Sequence, residues 1–185
     1  MARLVLLDRD GVLNVDRPDY VKHPGELVLL PGAAAAVARL NAAGLKVAVC
    51  TNQSAIGRGI FDEAMLARIH DKLRGDLARE RASLDAIFHC PDAPPFDSGG
   101  PVSACRKPAP GMLIAALQRF GAAAGQTPFV GDSLTDLQAA AALGCPRHLV
   151  RTGHGAKTQG GGLPETVLPV AVHADLAAAV AALLA

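Results

Sequence analysis

Leu4-Val5-Leu6-Leu7-Asp8-Arg9-Asp10-Gly11-Val12-Leu13-Asn14 decides the architecture of the chain. Four apolar, branched residues stop abruptly at two aspartates two positions apart, and a glycine follows. So short a run reads as a buried strand rather than a helix, and burial on both faces suits a parallel sheet. The carboxylates then stand at the strand's C-terminal end, where open α/β sheets place their ligands. Two acids this close repel unless a cation or a reaction uses them. Taken alone, the same residues also fit a surface turn, in which Asp and Gly are common.

The pattern recurs down the chain. Lys46-Val47-Ala48-Val49-Cys50-Thr51 predicts a second strand ending in the polar run Thr51-Asn52-Gln53-Ser54, with Gly57-Arg58-Gly59 behind it. Residues 86–89, 127–131, 148–151 and 167–172 predict four more strands, the fourth closed by Asp132. Between them, Pro31-Gly32 opens an alanine-rich helix to about residue 43, with Val37 and Leu40 on one face and Gly44 as its stop. A helix opening near Asp62 carries Met65, Leu66, Ile69, Leu73 and Leu77 on one face, against a solvated face of Arg68, Asp71, Lys72 and Glu80. Pro110 starts a helix burying Leu113, Ile114 and Leu117; further helices are expected over 133–143 and from 174 onward. Alternation of this kind predicts an α/β, three-layer, doubly wound Rossmann-like parallel sheet, with residues 1–185 as one domain. Residues 15–26 and 91–101 read as irregular loops. The glycine-rich segment 152–164 lacks phosphate-loop spacing and reads as flexible.

Bulk properties narrow the function. The 185 residues are enough for a sizeable core. A net charge of +1 gives no case for nucleic acid or a membrane surface as partner, and no apolar run approaches a membrane span. The apolar stretch after Met1 is too short for a signal peptide and is broken by Asp8. Four cysteines do not make a disulfide framework, and Cys50 and Cys145 read as core thiols. A cytoplasmic, reducing compartment and a monomer follow as expectations.

In a parallel sheet all C-terminal strand ends lie on one edge, so Asp8, Asp10, Thr51, Asn52, the Arg106-Lys107 pair and Asp132 can converge. Carboxylates hold Mg²⁺; a lysine and a hydroxyl stabilise the oxygens of a phosphoryl group in transfer. One aspartate can attack phosphorus while the other moves the proton. Plainer roles fit each residue singly. Asp136 follows Ser133 at capping-box spacing, Lys107 is a candidate surface lysine beside a proline, and Asn52 and Gln53 can close a turn. No GxGxxG fingerprint follows the first strand.

DRDGVLN at 8–14, TNQSAIGRG at 51–59, CRKPAPGM at 105–112 and VGDSLTD at 130–136 resemble, in order and spacing, the four motifs of the haloacid dehalogenase (HAD) phosphatase superfamily. The likeness is to its small histidinol-phosphate and heptose-bisphosphate phosphatase branch, which lacks a large cap domain. The resemblance implies an Mg²⁺-dependent phosphomonoester hydrolase working through an aspartyl-phosphate. Its partner would be a small phosphorylated sugar, the 7-phosphate of D-glycero-D-manno-heptose 1,7-bisphosphate, on the way to activated heptose for surface polysaccharide. Histidinol phosphate, another small phosphomonoester, or phosphosugar binding without catalysis are the alternatives.

By that resemblance Asp8 is the nucleophile and Asp10 the general acid/base, while Thr51 and Lys107 stabilise the phosphoryl group. Asp8, Asp10 (through its carbonyl) and Asp132 hold Mg²⁺. Asp16, Asp19, Tyr20, Val21, Lys22, Asn52, Gln53, Ser54, Arg58 and Arg106 are expected to bind substrate. Relatives carry a zinc site of the form Cys-x-His and Cys-x-Cys where this chain has Cys90-Pro91-Asp92 and Ser103-Ala104-Cys105. Cys90, Asp92 and Cys105 remain as candidate ligands, with adjacent His89 as a substitute and Ser103 a poor one, against the four N or S ligands a structural zinc wants. A metal-free loop of reduced thiols is the expectation, and a Cys90–Cys105 disulfide is the alternative that a reducing compartment disfavours. Ala55 stands where relatives have glycine, which would strain the chain there if φ were positive.

Overall fold

In the computed structural model, which describes residues 3–94, 97 and 103–185, the first strand, β1 (Leu4–Leu7), is buried along its whole length. Its alternation decides the layering. Val5 and Leu7 enter one apolar core and Leu4 and Leu6 the other. The remaining strands are β2 (Lys46–Asn52), β3 (Ala86–Cys90), β4 (Phe129–Gly131), β5 (Arg147–Val150) and β6 (Val170–His173). All pairings are parallel, and the sheet order is β3-β2-β1-β4-β5-β6.

Helices α1 (Ala33–Ala42), α2 (Glu63–Ala78) and α6 (Leu176–Leu183) cover one face of the sheet through Val37, Leu40, Ile69, Leu73, Leu77 and Val180. On the other face lie α3 (Gly111–Phe120) and α4 (Leu134–Ala141), through Met112, Leu113, Ala116, Ala139 and Ala140. A further helix, α5 (Gly155–Gly160), follows β5. The starts of three helices are sealed by side chains that accept a backbone N–H: Asp62 from Met65, Ser133 from Asp136 and Asp175 from Ala178. Each such cap contributes about 1 kcal/mol.

Strand order reverses between β1 and β4, and the crevice at their C-terminal ends is where this architecture takes its ligands. Asp8 and Asp132 each stand one residue beyond those two strands.

Several expectations need correction. Residues 155–160 are helical rather than a flexible loop; a Cβ on Gly155 would stand 1.6 Å from the Val150 carbonyl oxygen, so glycine lets this helix pack against the end of β5. Ile114 is exposed, because α3 turns Met112, Leu113 and Ala116 inward instead. On α2, Met65 is only half-buried and His70 is on the buried stripe. The last strand starts later than predicted, after a 3-10 turn over Glu165–Val167. Ala55 is buried and is not among the positive-φ residues, so alanine is unstrained there. Of the irregular segment expected over 91–101, residues 95, 96 and 98–101 lie outside the described residues.

Candidate active site

Lys107 organises the crevice. Its ammonium is 2.9 Å from Asp8 Oδ1 and 2.7 Å from Asp136 Oδ1, and it donates to the Cys50 carbonyl at 2.8 Å. Lysine has three donors, and these three partners take them all. The side chain is only 2% exposed. Its backbone is clasped from both sides by Asn52, whose amide accepts from Lys107 N–H at 3.0 Å and donates to the Lys107 carbonyl at 3.1 Å. Burial works against the charged lysine, but Asp136 and Asp8 outweigh it and raise its pKa.

Asp8 Oδ1 also accepts the Arg9 backbone N–H at 2.7 Å. Asp132 is gripped from the segment after β5. Its Oδ2 accepts His154 N–H at 2.7 Å, its carbonyl accepts the Thr158 hydroxyl at 2.9 Å, and Thr152 ties in the Gly11 carbonyl at 2.6 Å. Gly11 (φ +78°) and Gly153 (φ +55°) hold backbone so close that a Cβ on either would be 2.1 Å from Asp132 Oδ2. Asp136 does two jobs. Its Oδ2 accepts Asp132 N–H (3.1 Å), Ser133 N–H (3.0 Å) and the Ser133 hydroxyl (2.7 Å), which completes a capping box, while its Oδ1 faces Lys107.

Carboxylate oxygens of Asp8, Asp132 and Asp136 lie within 4.8 Å of one another, all buried. Burial pushes the Asp8 pKa up, with Asp136 and Asp10 adding and Lys107 opposing. Burial, Asp8 and Asp136 push Asp132 the same way. Three acids against one ammonium leave two negative charges uncompensated, on a hard oxygen donor set; the residues fit a divalent cation such as Mg²⁺.

Asp10 is set differently. Both its oxygens accept from Arg9 Nη2 at 2.9 Å; Oδ1 also accepts from Arg9 Nε at 3.3 Å and Asn14 Nδ2 at 2.8 Å, and Oδ2 from Gln53 Nε2 at 3.0 Å. Burial would raise its pKa, but Arg9 and these donors lower it. Gln53 Nε2 also donates to the Thr51 hydroxyl at 2.9 Å, linking Asp10 to the end of β2.

Asp8, Asp10, Thr51, Asn52, Lys107 and Asp132 share one cavity of about 400 Å³ with Asp16, Arg17, Pro18, Tyr20, Arg106, Ser133, Thr135, Asp136 and His154. That volume suits a small ligand. At its rim His154 Nε2 is 2.9 Å from Asp16 Oδ2. The other residues expected at substrate do not line it. Val21 is in the hydrophobic core, Asp19 and Lys22 pair with each other, Gln53 braces Asp10 from beneath, Ser54 is buried, and Arg58 pairs with Asp97. Sequence reading passed over Arg9 and His154; Arg17 falls within the segment 16–22 expected at the substrate and lines the cavity. For Arg9 one signal was present: His70, its partner, interrupts an apolar stripe of α2 four residues after Leu66.

Cys90 and Cys105 are joined as a disulfide, with Asp92 Oδ2 at 3.7 and 3.6 Å from the two sulfurs and Ser103 Oγ at 3.4 and 3.2 Å. The expectation of reduced thiols is corrected here. Pairing of β3 with β2 and the return of the chain at 103–105 bring the two Cα atoms to 5.6 Å, a separation a disulfide spans. Cys50 and Cys145 are free and buried, as expected.

The HAD-hydrolase-like family matches this chain over residues 104–179. The chain is 50% identical to a D-glycero-beta-D-manno-heptose-1,7-bisphosphate 7-phosphatase of Bordetella bronchiseptica, covering 88% of this chain and 89% of the relative. It is 45% identical to one of Pseudomonas aeruginosa, over 98% and 97%. Among solved structures it is similar to the D,D-heptose 1,7-bisphosphate phosphatase of Bordetella bronchiseptica complexed with magnesium and phosphate, with a TM-score of 0.90, 48% identity and 98% of both chains covered. No helix among the described residues is long and apolar enough to cross a membrane.

Proposed function

The chain belongs to the HAD-like hydrolases, in the branch of the heptose-1,7-bisphosphate 7-phosphatases, and we propose that it removes the 7-phosphate of D-glycero-D-manno-heptose 1,7-bisphosphate. One observation carries the reading: a buried lysine spends all three donors on Asp8, Asp136 and a backbone carbonyl, at the point where strand order reverses.

The chemistry follows from the two differently set aspartates. Asp8 attacks phosphorus with a carboxylate oxygen. The bond from phosphorus to the sugar's C7 oxygen breaks, and Asp10, which takes up a proton from solvent before the step against the donors that hold its pKa low, gives that oxygen the proton. The heptose 1-phosphate leaves and an acyl phosphate stays on Asp8. Asp10, now a carboxylate, takes a proton from water as the water oxygen attacks phosphorus; the bond to Asp8 breaks and inorganic phosphate departs. Lys107, its three donors already spent, orients Asp8 and offsets through its charge the negative phosphoryl oxygens of the transition state, while the Thr51 hydroxyl, which accepts from Gln53, keeps its own proton for them. Asp8, Asp132 and the Asp10 carbonyl would hold Mg²⁺, which when bound offsets the crowded carboxylates and draws the phosphate oxygens in. Arg106, Asp16 and Tyr20 line the same cavity and supply a cation, a carboxylate and a phenol for the sugar.

Phosphate release from heptose 1,7-bisphosphate and from histidinol phosphate, each with Mg²⁺ and with chelator, tests this. Mg²⁺-dependent turnover favouring the heptose ester, lost in Asp8→Asn, is the expected result. Equal or faster release from histidinol phosphate moves the assignment to that sister activity.

A further inference from the structure

Arg9 sits between the two aspartates in sequence, yet its side chain turns away from the cavity and is 1% exposed. A guanidinium removed from water is costly unless its donors are met. Nη2 and Nε are met by Asp10. Nη1 is met by His70 Nε2 at 3.3 Å, from α2 on another part of the chain. Arginine only donates, so His70 Nε2 is the acceptor and Nδ1 carries the proton. Burial, then the Arg9 charge, pushes the His70 pKa down to about 3, which keeps the imidazole in that accepting form.

We propose that His70 and Arg9 form a brace that positions the Asp10 carboxyl group, once it has taken up a proton from solvent, for transfer of that proton to the leaving oxygen, and afterwards its carboxylate for taking one from the attacking water. The two-point fork from Arg9 fixes the plane of the carboxylate in a way that a single donor does not. Arg9 and Asp10 are neighbours on one turn, so the fork between them is local; α2, packed into the core through Leu66, Ile69 and Leu73, anchors it from another part of the chain through His70. Both are positioning residues that act through Asp10 and do not line the cavity. The inference rests on the phosphatase reading above.

Leaving-group dependence separates positioning from simple support of the fold. A sugar alkoxide needs a proton to depart; p-nitrophenolate does not. His70→Leu removes the acceptor and keeps an apolar volume. It is expected to lower kcat on heptose 1,7-bisphosphate by about 10- to 100-fold, the scale of a misplaced catalytic group, with KM unchanged within about twofold. On p-nitrophenyl phosphate the first-turnover release of p-nitrophenolate, which reports the attack step alone and not the later water step, slows less than about threefold in the same variant. His70→Gln, whose amide oxygen can accept from Arg9, recovers most of the sugar-ester rate. If His70→Leu does not fold, Arg9→Lys replaces the fork by a point donor and is expected to show the same selective loss. First-turnover p-nitrophenolate release slowed as much as turnover of the sugar ester, or His70→Gln no better than His70→Leu, overturns the brace. A wild-type protein with no Mg²⁺-dependent turnover of either ester instead overturns the phosphatase reading, and the brace with it.

Discussion

The carboxylates of Asp8, Asp132 and Asp136 and the carboxylate of Asp10 occupy the same sheet edge and are balanced in opposite ways. Three acids on the first side share one cation, Lys107, and burial drives Asp8 and Asp132 upward in pKa. On the second side a single acid faces a buried arginine and two amides, which outweigh burial and hold it down. The first side is short of positive charge and is therefore where a cation and a phosphoryl group gain most from entering. Nothing further is needed on the second side to keep Asp10 aligned, and its low pKa suits the half of the reaction in which it takes a proton from water. Two identical residues two positions apart thus take different roles because their neighbours differ.

The largest expected effect breaks the deficient side. Asp8→Asn removes the attacking oxygen and should lower kcat by about 10⁴-fold or more, the loss seen when a nucleophile is deleted. It also removes one of the crowded charges. In chelator at pH 8 the variant should melt at or above the wild-type temperature; a lower melting temperature would show that the crowding is not a cost. Lys107→Met is the converse. It strands three buried acids and should cost about 3–5 kcal/mol in urea titration near neutral pH, with part of the loss recovered on adding Mg²⁺. If Lys107→Met unfolds no more easily than wild type, the lysine is not the counter-charge described here.

Acidity offers a gentler probe. Asp8 is pushed up to about 7 and Asp132 to about 8, against about 4 in an unfolded chain. Between those values the folded state binds extra protons, so metal-free stability from this side falls as pH rises and levels off above the upper value. Asp10, held low, has the opposite sign: its contribution is present above the unfolded pKa and is lost as pH falls through the lowered one. Mg²⁺ should therefore raise the melting temperature more at pH 8 than at pH 5.5, by roughly 3–8 °C, at about 2–4 °C per kcal/mol for this size. Scanning calorimetry at the two pH values with metal or chelator reads it directly. Equal gains would mean that the cation does not relieve these carboxylates.

The deficient side was largely legible in the sequence, and the satisfied side was not. Asp8 and Asp132 each end an apolar run, and parallel strands carry such ends to one edge, so local pattern plus topology was enough to place them. Lys107 was readable as a candidate but not as a hub, since its link to Asp136 depends on how the 103–110 segment folds back over β2. Asp136 carried a capping signature, which is satisfied, and that local signal concealed its second oxygen. Arg9 gave no local sign of burial, because what buries it is His70, 61 residues away on α2. The helix over 155–160 was missed because its glycines, which loosen a chain in isolation, here allow backbone to approach β5 and Asp132.

The smallest effect tests whether the satisfied side is also redundant. Gln53→Leu keeps most of the volume of a buried residue and removes one amide donor shared between Asp10 and Thr51. Asp10 keeps Arg9 and Asn14, so its charge stays compensated and its plane stays fixed by the fork. A single lost hydrogen bond in such a setting costs about 1 kcal/mol, which in kcat corresponds to about a fivefold decrease. Thr51, freed from the amide, keeps its hydroxyl at the end of β2 and can still reach a phosphoryl oxygen, so KM should hardly move. Turnover of heptose 1,7-bisphosphate and urea unfolding of Gln53→Leu beside Lys107→Met decide the point. A glutamine variant as impaired as the lysine variant would mean that Asp10 hangs on each of its donors, and that the two sides differ in sign of charge but not in tolerance.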